Sequence, residues 1–412
     1  MNSAVAIDAG ELPLGGGLLA LLRPALALVS PGGVVAIRSA NRSVSIDLPS
    51  WCRMERHEFL GTEPTDERTV THLVARGRLG VPARPREDGM RLGAESKFPA
   101  ADVLAAVPFP PVASNATGLA PRGAQVEPGG PAYPFALLER DRVAPPEVAA
   151  LYDQAVAAQW DATRDIPWAA ACNLPPALER AVCQIMTFLA ENELSALYLP
   201  SKFISRVHPD YAEVAMLLAT QIHDEARHTD VFLKRARRGG GGLGISSVTT
   251  ARSLLSLLEL EDFTEASFLL SVLGEGTFVD LLRYVEVHAP DDATREIARR
   301  TRIDETRHVH FGMSHVRHAL AHDPKLFGRL EGAVRRRAAT LQDVGGVPAP
   351  IQDALVVLAA GGTDPDQIAA GHLAYRDLIH DMSIHRERRL ASAGFTAEQA
   401  KILSDLHTSN FM

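Results

Sequence analysis

The sequence predicts two unlike parts, a small α+β N-terminal domain followed by an all-α four-helix bundle with additional helices. Three features predict this division. In residues 1–80, short apolar runs alternate with turn sequences such as Ser30-Pro31-Gly32-Gly33, a pattern typical of a small sheet with helices. Residues 81–144 are rich in proline and glycine and have no sustained periodicity, which predicts a connector. In residues 145–412, long segments repeat apolar residues at helical spacing.

The first 80 residues predict a sheet with helices on one side. The predicted strands are Ala4–Ile7, Val34–Ser39, Ser43–Asp47, Glu58–Gly61 and Thr69–Ala75, and the predicted helices are Leu18–Val29 and Trp51–His57. Pro49 is expected to end the Ser43–Asp47 strand, because proline cannot donate to a sheet.

This region contains Asp8-Ala9-Gly10, Ser30-Pro31-Gly32-Gly33, the run 46–52 and Glu55-Arg56-His57. In these motifs it resembles the sulfur-carrier domains of the TusA/SirA family. Those domains carry sulfur on a cysteine that precedes the first helix. Here that position reads Leu12-Pro13-Leu14-Gly15-Gly16 and Cys52 lies at the other end of the domain. The resemblance therefore implies a domain that has lost sulfur transfer and serves docking, packing or substrate gating.

Helical periodicity with proline or glycine boundaries predicts a series of helices after the connector. Their predicted spans are 147–163, 178–198, 210–237, 262–288, 292–319, 324–341, 351–358 and 364–389, with a short last helix after Thr396. The four long spans from 178 to 319 form two consecutive pairs.

The composition excludes several classes of protein. The net charge is −8, with no basic run and 6% aromatic residues, so nucleic acid is not an expected partner. Three scattered cysteines favour neither a disulfide framework nor a zinc site and fit a reducing cytoplasm. The first residues lack a basic segment followed by an unbroken apolar segment, so a signal peptide is not expected. No uninterrupted apolar run approaches about 18 residues, so no membrane span is expected.

The pentapeptide Asp-Glu-x-Arg-His occurs twice, at 224–228 and at 304–308. Residues i and i+3 are neighbours on one face of a helix, so Glu225 with His228 and Glu305 with His308 can each aim a carboxylate and an imidazole at one point. Two such pairs, with one glutamate from each of two further helices, form the ligand set of a dinuclear carboxylate site. The repeat therefore predicts a metal centre.

Each predicted pair of helices also carries a lone acid that precedes the repeated motif. Glu275 continues the apolar stripe of Phe268, Val272, Val279 and Leu282, where an unpaired carboxylate is costly. Its neighbours Gly274 and Gly276 suggest close packing, a local bulge or room for a substrate. On the earlier helix Glu193 shares the stripe of Leu178, Val182, Ile185, Leu189 and Ala196. Glu191, about 200° away, is the alternative ligand there.

The residues around the proposed ligands are expected to support them. Asp224 and Asp304 are expected to accept a hydrogen bond from the histidine on the other helix and to fix its tautomer. Arg227 and Arg307 are expected to neutralise those aspartates. Four histidines near the motifs, His223, His310, His315 and His318, are expected at the surface or around the ligands, and Trp160 is expected to pack across the bundle.

Carboxylate oxygens with two imidazoles and no thiolate suit iron or manganese. Residues 145–390 resemble the ferritin-like di-iron oxygenases and oxidases. That resemblance implies a non-haem dinuclear iron site, with Mn/Fe as an alternative, that activates O2. Arylamine N-oxygenases of this superfamily carry a histidine four residues before the last Glu-x-x-His, where this chain has Thr301.

The leading functional hypothesis is an oxygenase that oxidises a small organic substrate by hydroxylation, N-oxygenation or desaturation. It would need O2 as co-substrate and an external electron donor such as a reductase or ferredoxin, and a homodimer is a possible assembly. The alternatives are a ferroxidase or peroxidase-type di-iron protein and a non-enzymatic adaptor on a ferritin-like scaffold. The sequence does not identify the substrate.

Overall fold

The structure of the chain is a computed structural model. It describes residues 5–66, 68–77, 98–124, 126, 129–170, 173–343 and 346–407. The chain divides into two compact units, one of Met1–Ala94 with Ala116–Ala132 and the other of Glu95–Asn115 with Tyr133–Met412.

The described residues of the first unit form a four-stranded mixed sheet and two α-helices. The elements are β1 Val5–Gly10, α1 Leu18–Ala27, β2 Val34–Ser39, α2 Val44–Met54, β3 Glu58–Pro64 and β4 Val70–Ala75. The strand order is β1-β2-β4-β3; β1 runs parallel to β2, and the other two pairs are antiparallel. The α+β character predicted for this region is confirmed.

The predicted strand Ser43–Asp47 is wrong, because these residues begin helix α2. Val44, Leu48 and Cys52 are all fully buried, whereas Ile46 is 74% exposed. That spacing of four is helical, and the apparent alternation in the sequence came from a segment too short to separate the two periods. Pro49 lies inside α2 rather than after a strand.

The second unit is almost entirely helical, as predicted. Its helices are α3 Ala100–Ala105, α4 Val148–Ala157, α5 Pro176–Ile204, α6 Ala212–Arg238, α7 Val248–Leu258, α8 Phe263–Ser267, a π-helix Phe268–Glu275, α9 Gly276–His288, α10 Asp292–His322, α11 Leu326–Thr340, α12 Ala349–Ala360, α13 Pro365–Ser392 and α14 Ala397–Leu406. Helix α7 was not predicted, and α4 ends six residues before its predicted end at Thr163.

Helix α5 continues past its predicted end at Tyr198 and includes Pro200. The loss of one backbone donor is tolerated because Leu199, Pro200 and Phe203 are buried in the core, so packing outweighs the local cost of proline. Beside this proline, the Ser201 hydroxyl donates to the Leu197 carbonyl.

Four long helical segments form a bundle in this unit. Helix α5 packs along α6, α9 packs along α10, and α6 contacts α10. Helices α12 and α13 cover the outside of this bundle through contacts with α5 and α9. No helix within the described ranges is long and apolar enough to cross a membrane.

Candidate metal centre

Six acidic and imidazole side chains meet in the middle of the bundle, and none is more than 3% exposed. They are Glu193 on α5, Glu225 and His228 on α6, Glu275 at the end of the π-helix, and Glu305 and His308 on α10. The structure therefore brings together all six predicted metal ligands. Their role as ligands stays a prediction.

The six residues form two overlapping groups whose ligand atoms lie within 4.8 Å of one another. Glu193, Glu225, His228 and Glu305 form one group, and Glu225, Glu275, Glu305 and His308 form the other. Glu225 and Glu305 belong to both. Each group thus has one histidine, one glutamate of its own and two shared glutamates, as expected for two metal ions bridged by carboxylates.

The two histidines present the same ring nitrogen to the carboxylates. The Nδ1 atom of His228 lies 3.3 Å from Glu225 and 3.2 Å from Glu305. The Nδ1 atom of His308 lies 3.0 Å from Glu225 and 3.4 Å from Glu305. The centroids of the two imidazole rings are 6.3 Å apart. The space between the rings is therefore lined by the two shared carboxylates.

Local structure explains how Glu275 reaches this point. It is the last residue of the π-helix. This type of helix is rare in proteins, and where it occurs it is often at a functional site. The π-helix packs closely on α10, where a Cβ added to Gly312 would meet the Ser271 side chain at 2.6 Å. A Cβ on Gly276 would meet Arg389 at 2.5 Å. Close packing is therefore confirmed at Gly276, one of the two glycines that suggested it in the sequence.

Glu191, the alternative to Glu193, is directed away from the centre. Its carboxylate accepts a hydrogen bond of 2.6 Å from the Ser246 hydroxyl near the surface. Glu193 is 2% exposed and lies 3.4 Å from His228. The position of Glu193 in the apolar stripe thus correctly predicted which of the two glutamates is buried in the core.

The outer ring nitrogens of the histidines contact aspartates on the opposite helix. His228 Nε2 lies 3.1 Å from Asp304, and His308 Nε2 lies 3.3 Å from Asp224. Arg307 donates to both aspartates at 2.8 Å, and Arg227 also pairs with both. Two aspartates and two arginines therefore form a neutral, hydrogen-bonded frame that leaves each Nδ1 atom directed inward.

The carboxylates and imidazoles perturb one another's proton affinity. Burial, together with the negative charges of Glu225 and Glu305, holds the pKa of Glu193 well above its usual value. Burial and the charge of Glu305 do the same to the pKa of Glu275. Burial lowers the pKa of His228, but the charge of Glu193 and the hydrogen bond to Asp304 outweigh it, so the net pKa is raised. Without cations, this cluster must hold extra protons.

The cluster fits two divalent cations in both charge and hydrogen bonding. Four carboxylates and two neutral imidazoles carry the charge that two divalent ions cancel. Five carboxylate oxygens in the centre, from Glu193, Glu225, Glu275 and both atoms of Glu305, lack a hydrogen-bond partner among the described residues. Buried charges without partners are costly. Cations at these positions would supply the missing partners with the oxygen and imidazole donors that iron and manganese accept.

Trp160 has a polar role that sequence reasoning missed. It does pack against the bundle, as expected, and its Nε1 atom also donates to Asp304 at 2.7 Å. Asp304 in turn contacts His228, whose ring stacks near the indole at 6.3 Å. Trp160 also lines a surface depression with Arg164 and Asp230. No local sequence signal connects residue 160 with residue 304; only the fold brings them together.

Gln221, one turn before Glu225, donates to Glu275 at 3.0 Å. It also lines a buried cavity of about 20 Å3 with Ser271, room for about one water-sized molecule. Ser267 also lines the cavity, and the other lining side chains are apolar: Leu199, Pro200, Phe203, Leu218, Phe263, Ala266, Leu270 and Phe311. The cavity therefore lies beside the Glu275 half of the centre.

No protein-family model and no curated protein matches this chain. Solved structures that resemble it include variants of an R2-like ligand-binding oxidase with aerobically reconstituted Mn/Fe cofactor. One aligns with 59% of this chain and 92% of its own at 18% identity, TM-score 0.45. Another aligns with 58% and 92% at 17% identity, TM-score 0.46. A third form of this oxidase, after photoconversion, covers 63% and 93% at 16% identity, TM-score 0.41.

Proposed function

We propose that this chain is a non-haem di-iron oxygenase that uses O2 to oxidise a small organic substrate. The observation that supports it most is the pair of overlapping ligand groups that share Glu225 and Glu305. When bound, two iron ions at these positions supply the electrons and the Lewis acidity for O2 reduction. A mixed Mn/Fe pair fits the same donors.

The chain's own residues divide the remaining work. Glu193, Glu275 and the two shared glutamates would hold the ions together with His228 and His308, and Asp224 and Asp304 hold the histidine rings. The bundle keeps bulk water from the centre, because all six proposed ligands are buried. The balanced reaction transfers one oxygen atom to the substrate and releases the other as water, with two electrons from a donor and two protons.

The substrate side of the centre is proposed to be the apolar cavity beside Glu275. Its walls favour an uncharged substrate, and Gln221 and Ser271 offer hydrogen bonds near the proposed ligands. The present volume accepts O2 or water but no organic molecule, so a substrate must displace lining side chains such as Phe203 or Phe311. The reaction therefore depends on local opening of the apolar wall.

Electrons are proposed to enter on the opposite side, from an external reductase or ferredoxin. Trp160 lines the surface depression there and is hydrogen-bonded through Asp304 to His228. This route joins the surface to the proposed ligands through two hydrogen bonds. The Arg227 guanidinium lies 4.7 Å from the indole centroid of Trp160. It also forms an ion pair with the Asp304 carboxylate, the negatively charged group on this route.

A ferroxidase is the second candidate, favoured by the small size of the cavity. The two reactions differ in the fate of oxygen. After anaerobic Fe(II) loading and exposure to isotopically labelled O2, an oxygenase incorporates label into an added apolar substrate, and the substrate accelerates decay of any transient absorption. A ferroxidase consumes O2 at a rate that no substrate changes and releases ferric iron. An adaptor would bind no stoichiometric metal at all.

A further inference from the structure

A second group of metal-ligating side chains lies at the far end of α10. His318 and His322 are one helical turn apart on one face, with ring centroids 4.6 Å apart. Asp141 reaches them from a 3-10 turn at Arg140–Arg142. Its Oδ1 atom lies 3.8 Å from the Nε2 atom of each histidine. Ten residues separate His318 from His308, which is about 15 Å along the helix.

His318 is poorly explained as a structural residue. It was expected at the surface or around the buried centre, yet its side chain is 90% buried, being only 10% exposed. Among the residues that the structure describes, its Nε2 atom has no hydrogen-bond partner, and this atom lies 3.8 Å from Asp141. A buried ring nitrogen without a partner costs free energy, and a ligand at this position would satisfy it.

His322 is held in the form that can bind a cation. Its Nδ1 atom contacts the His318 carbonyl oxygen at 2.8 Å. A carbonyl only accepts, so Nδ1 carries the proton and Nε2 keeps its lone pair. A hydrogen bond from the outer ring nitrogen is the usual support of a metal-ligating histidine. Nε2 is the atom that faces Asp141.

We propose that Asp141, His318 and His322 bind a single divalent transition-metal ion, at a site separate from the buried dinuclear centre. Two imidazoles and one carboxylate suit Zn2+ and its neighbours in the first transition row. Donors about 2.1 Å from a tetrahedral ion are about 3.4 Å apart, so the observed 3.8 Å requires only a small closure. The bound ion would tie the 3-10 turn to the last turn of α10.

The competing interactions at this site are weak. Arg140 Nε lies 3.4 Å from the same Asp141 oxygen, with both side chains well exposed, and exposed pairs of this kind contribute about 0 to 1 kcal/mol.

The proposal is tested by titrating the metal-free full chain with Zn2+ in a calorimeter. The parent chain is expected to bind one more equivalent than His322→Ala, whatever number the buried centre takes. His372→Ala removes an exposed histidine on α13 and serves as the matched control, with the parent stoichiometry. Thermal melting of each metal-free variant verifies that it is folded. Equal stoichiometry in the parent and His322→Ala would overturn the proposal.

Asp141→Asn separates a three-ligand site from a histidine pair alone. It removes one charged donor from a side chain that is 45% exposed, so the fold is expected to persist. Zn2+ affinity at this site should fall by more than about tenfold. In crystals of the zinc-loaded chain, the anomalous difference peak between the three side chains should be weaker in the variant than in the parent. Unchanged affinity in Asp141→Asn would contradict the assignment of Asp141.

Discussion

Two buried ionic clusters in the same bundle differ in how their charges are balanced. Near one end, fully buried Arg235 pairs with Glu179 at 3.1 Å and with Asp291 at 2.9 Å, and it also donates to Thr294. At the centre, Glu225 and Glu305 contact the two histidines His228 and His308. The first cluster contains its own arginine cation. In the second, several carboxylate oxygens have no hydrogen-bond partner among the described residues, so bound protons or metal cations are needed to balance its charge.

The largest expected effect is loss of metal in Glu305→Ala. Glu305 belongs to both ligand groups, so its removal weakens both positions. The parent chain should hold two iron ions and the variant fewer than one, as measured by elemental analysis after anaerobic loading. Glu225→Ala should behave in the same way for the same reason. Retention of both ions in these two variants would contradict the shared-ligand arrangement.

Glu179→Ala tests the other cluster and should have the opposite phenotype. Removing one partner of a buried ion pair costs about 3 to 5 kcal/mol, so urea should unfold this variant at lower concentration. The metal content should equal that of the parent. Loss of iron from Glu179→Ala without loss of stability would erase the distinction between the two clusters.

Asp304→Asn should weaken metal binding without abolishing it. Asp304 contacts His228 Nε2 at 3.1 Å and makes ion pairs with both arginines of the frame. Loss of such a supporting carboxylate lowers metal affinity about 10- to 100-fold. Asp292→Asn changes an exposed aspartate on the same helix and should keep the parent affinity in the same competition titration. If Asp304→Asn and Asp292→Asn had equal metal affinity, Asp304 would not support the metal-binding histidine.

Metal affinity of the centre should fall as the pH falls. In the metal-free chain the pKa values of Glu193, Glu275 and His228 are raised, so these groups hold protons that a cation must displace. Proton competition weakens binding by about tenfold per pH unit for each proton released. Titrations at several pH values, with proton release followed by a dye, should give this slope. A flat profile would mean that the carboxylates are already ionised.

Sequence periodicity was sufficient to predict which six side chains meet in the bundle and that Asp224 and Asp304 contact the histidines of the opposite helix. Glu225, His228, Glu305 and His308 could be predicted because a helix places i and i+3 together, and Glu275 because one acid interrupted an apolar stripe. These are local relations. The wrong strand prediction for Ser43–Asp47 shows that a five-residue segment is too short to distinguish helical from strand periodicity. The helical spacing of four becomes visible only when buried Val44 and Leu48 are considered together with buried Cys52.

The parts that could not be predicted depend on contacts between distant segments. The Trp160–Asp304 hydrogen bond and the approach of Asp141 to His318 and His322 join residues far apart in the chain. The π-helix agrees with the local bulge that was one of three interpretations of Gly274 and Gly276, but the sequence alone does not choose among the three. The resemblance of the first unit to sulfur carriers stays a prediction. Cys52 is fully buried there and burial raises its pKa to about 11, so its thiol is unreactive at neutral pH.

The dinuclear centre can be tested by an anomalous difference map at the iron edge from crystals of the Fe(II)-loaded chain. Two peaks should lie in the bundle, one beside Glu193 and His228 and the other beside Glu275 and His308, with the Glu225 and Glu305 carboxylates between them. A single peak, or none, among these side chains would contradict a dinuclear centre.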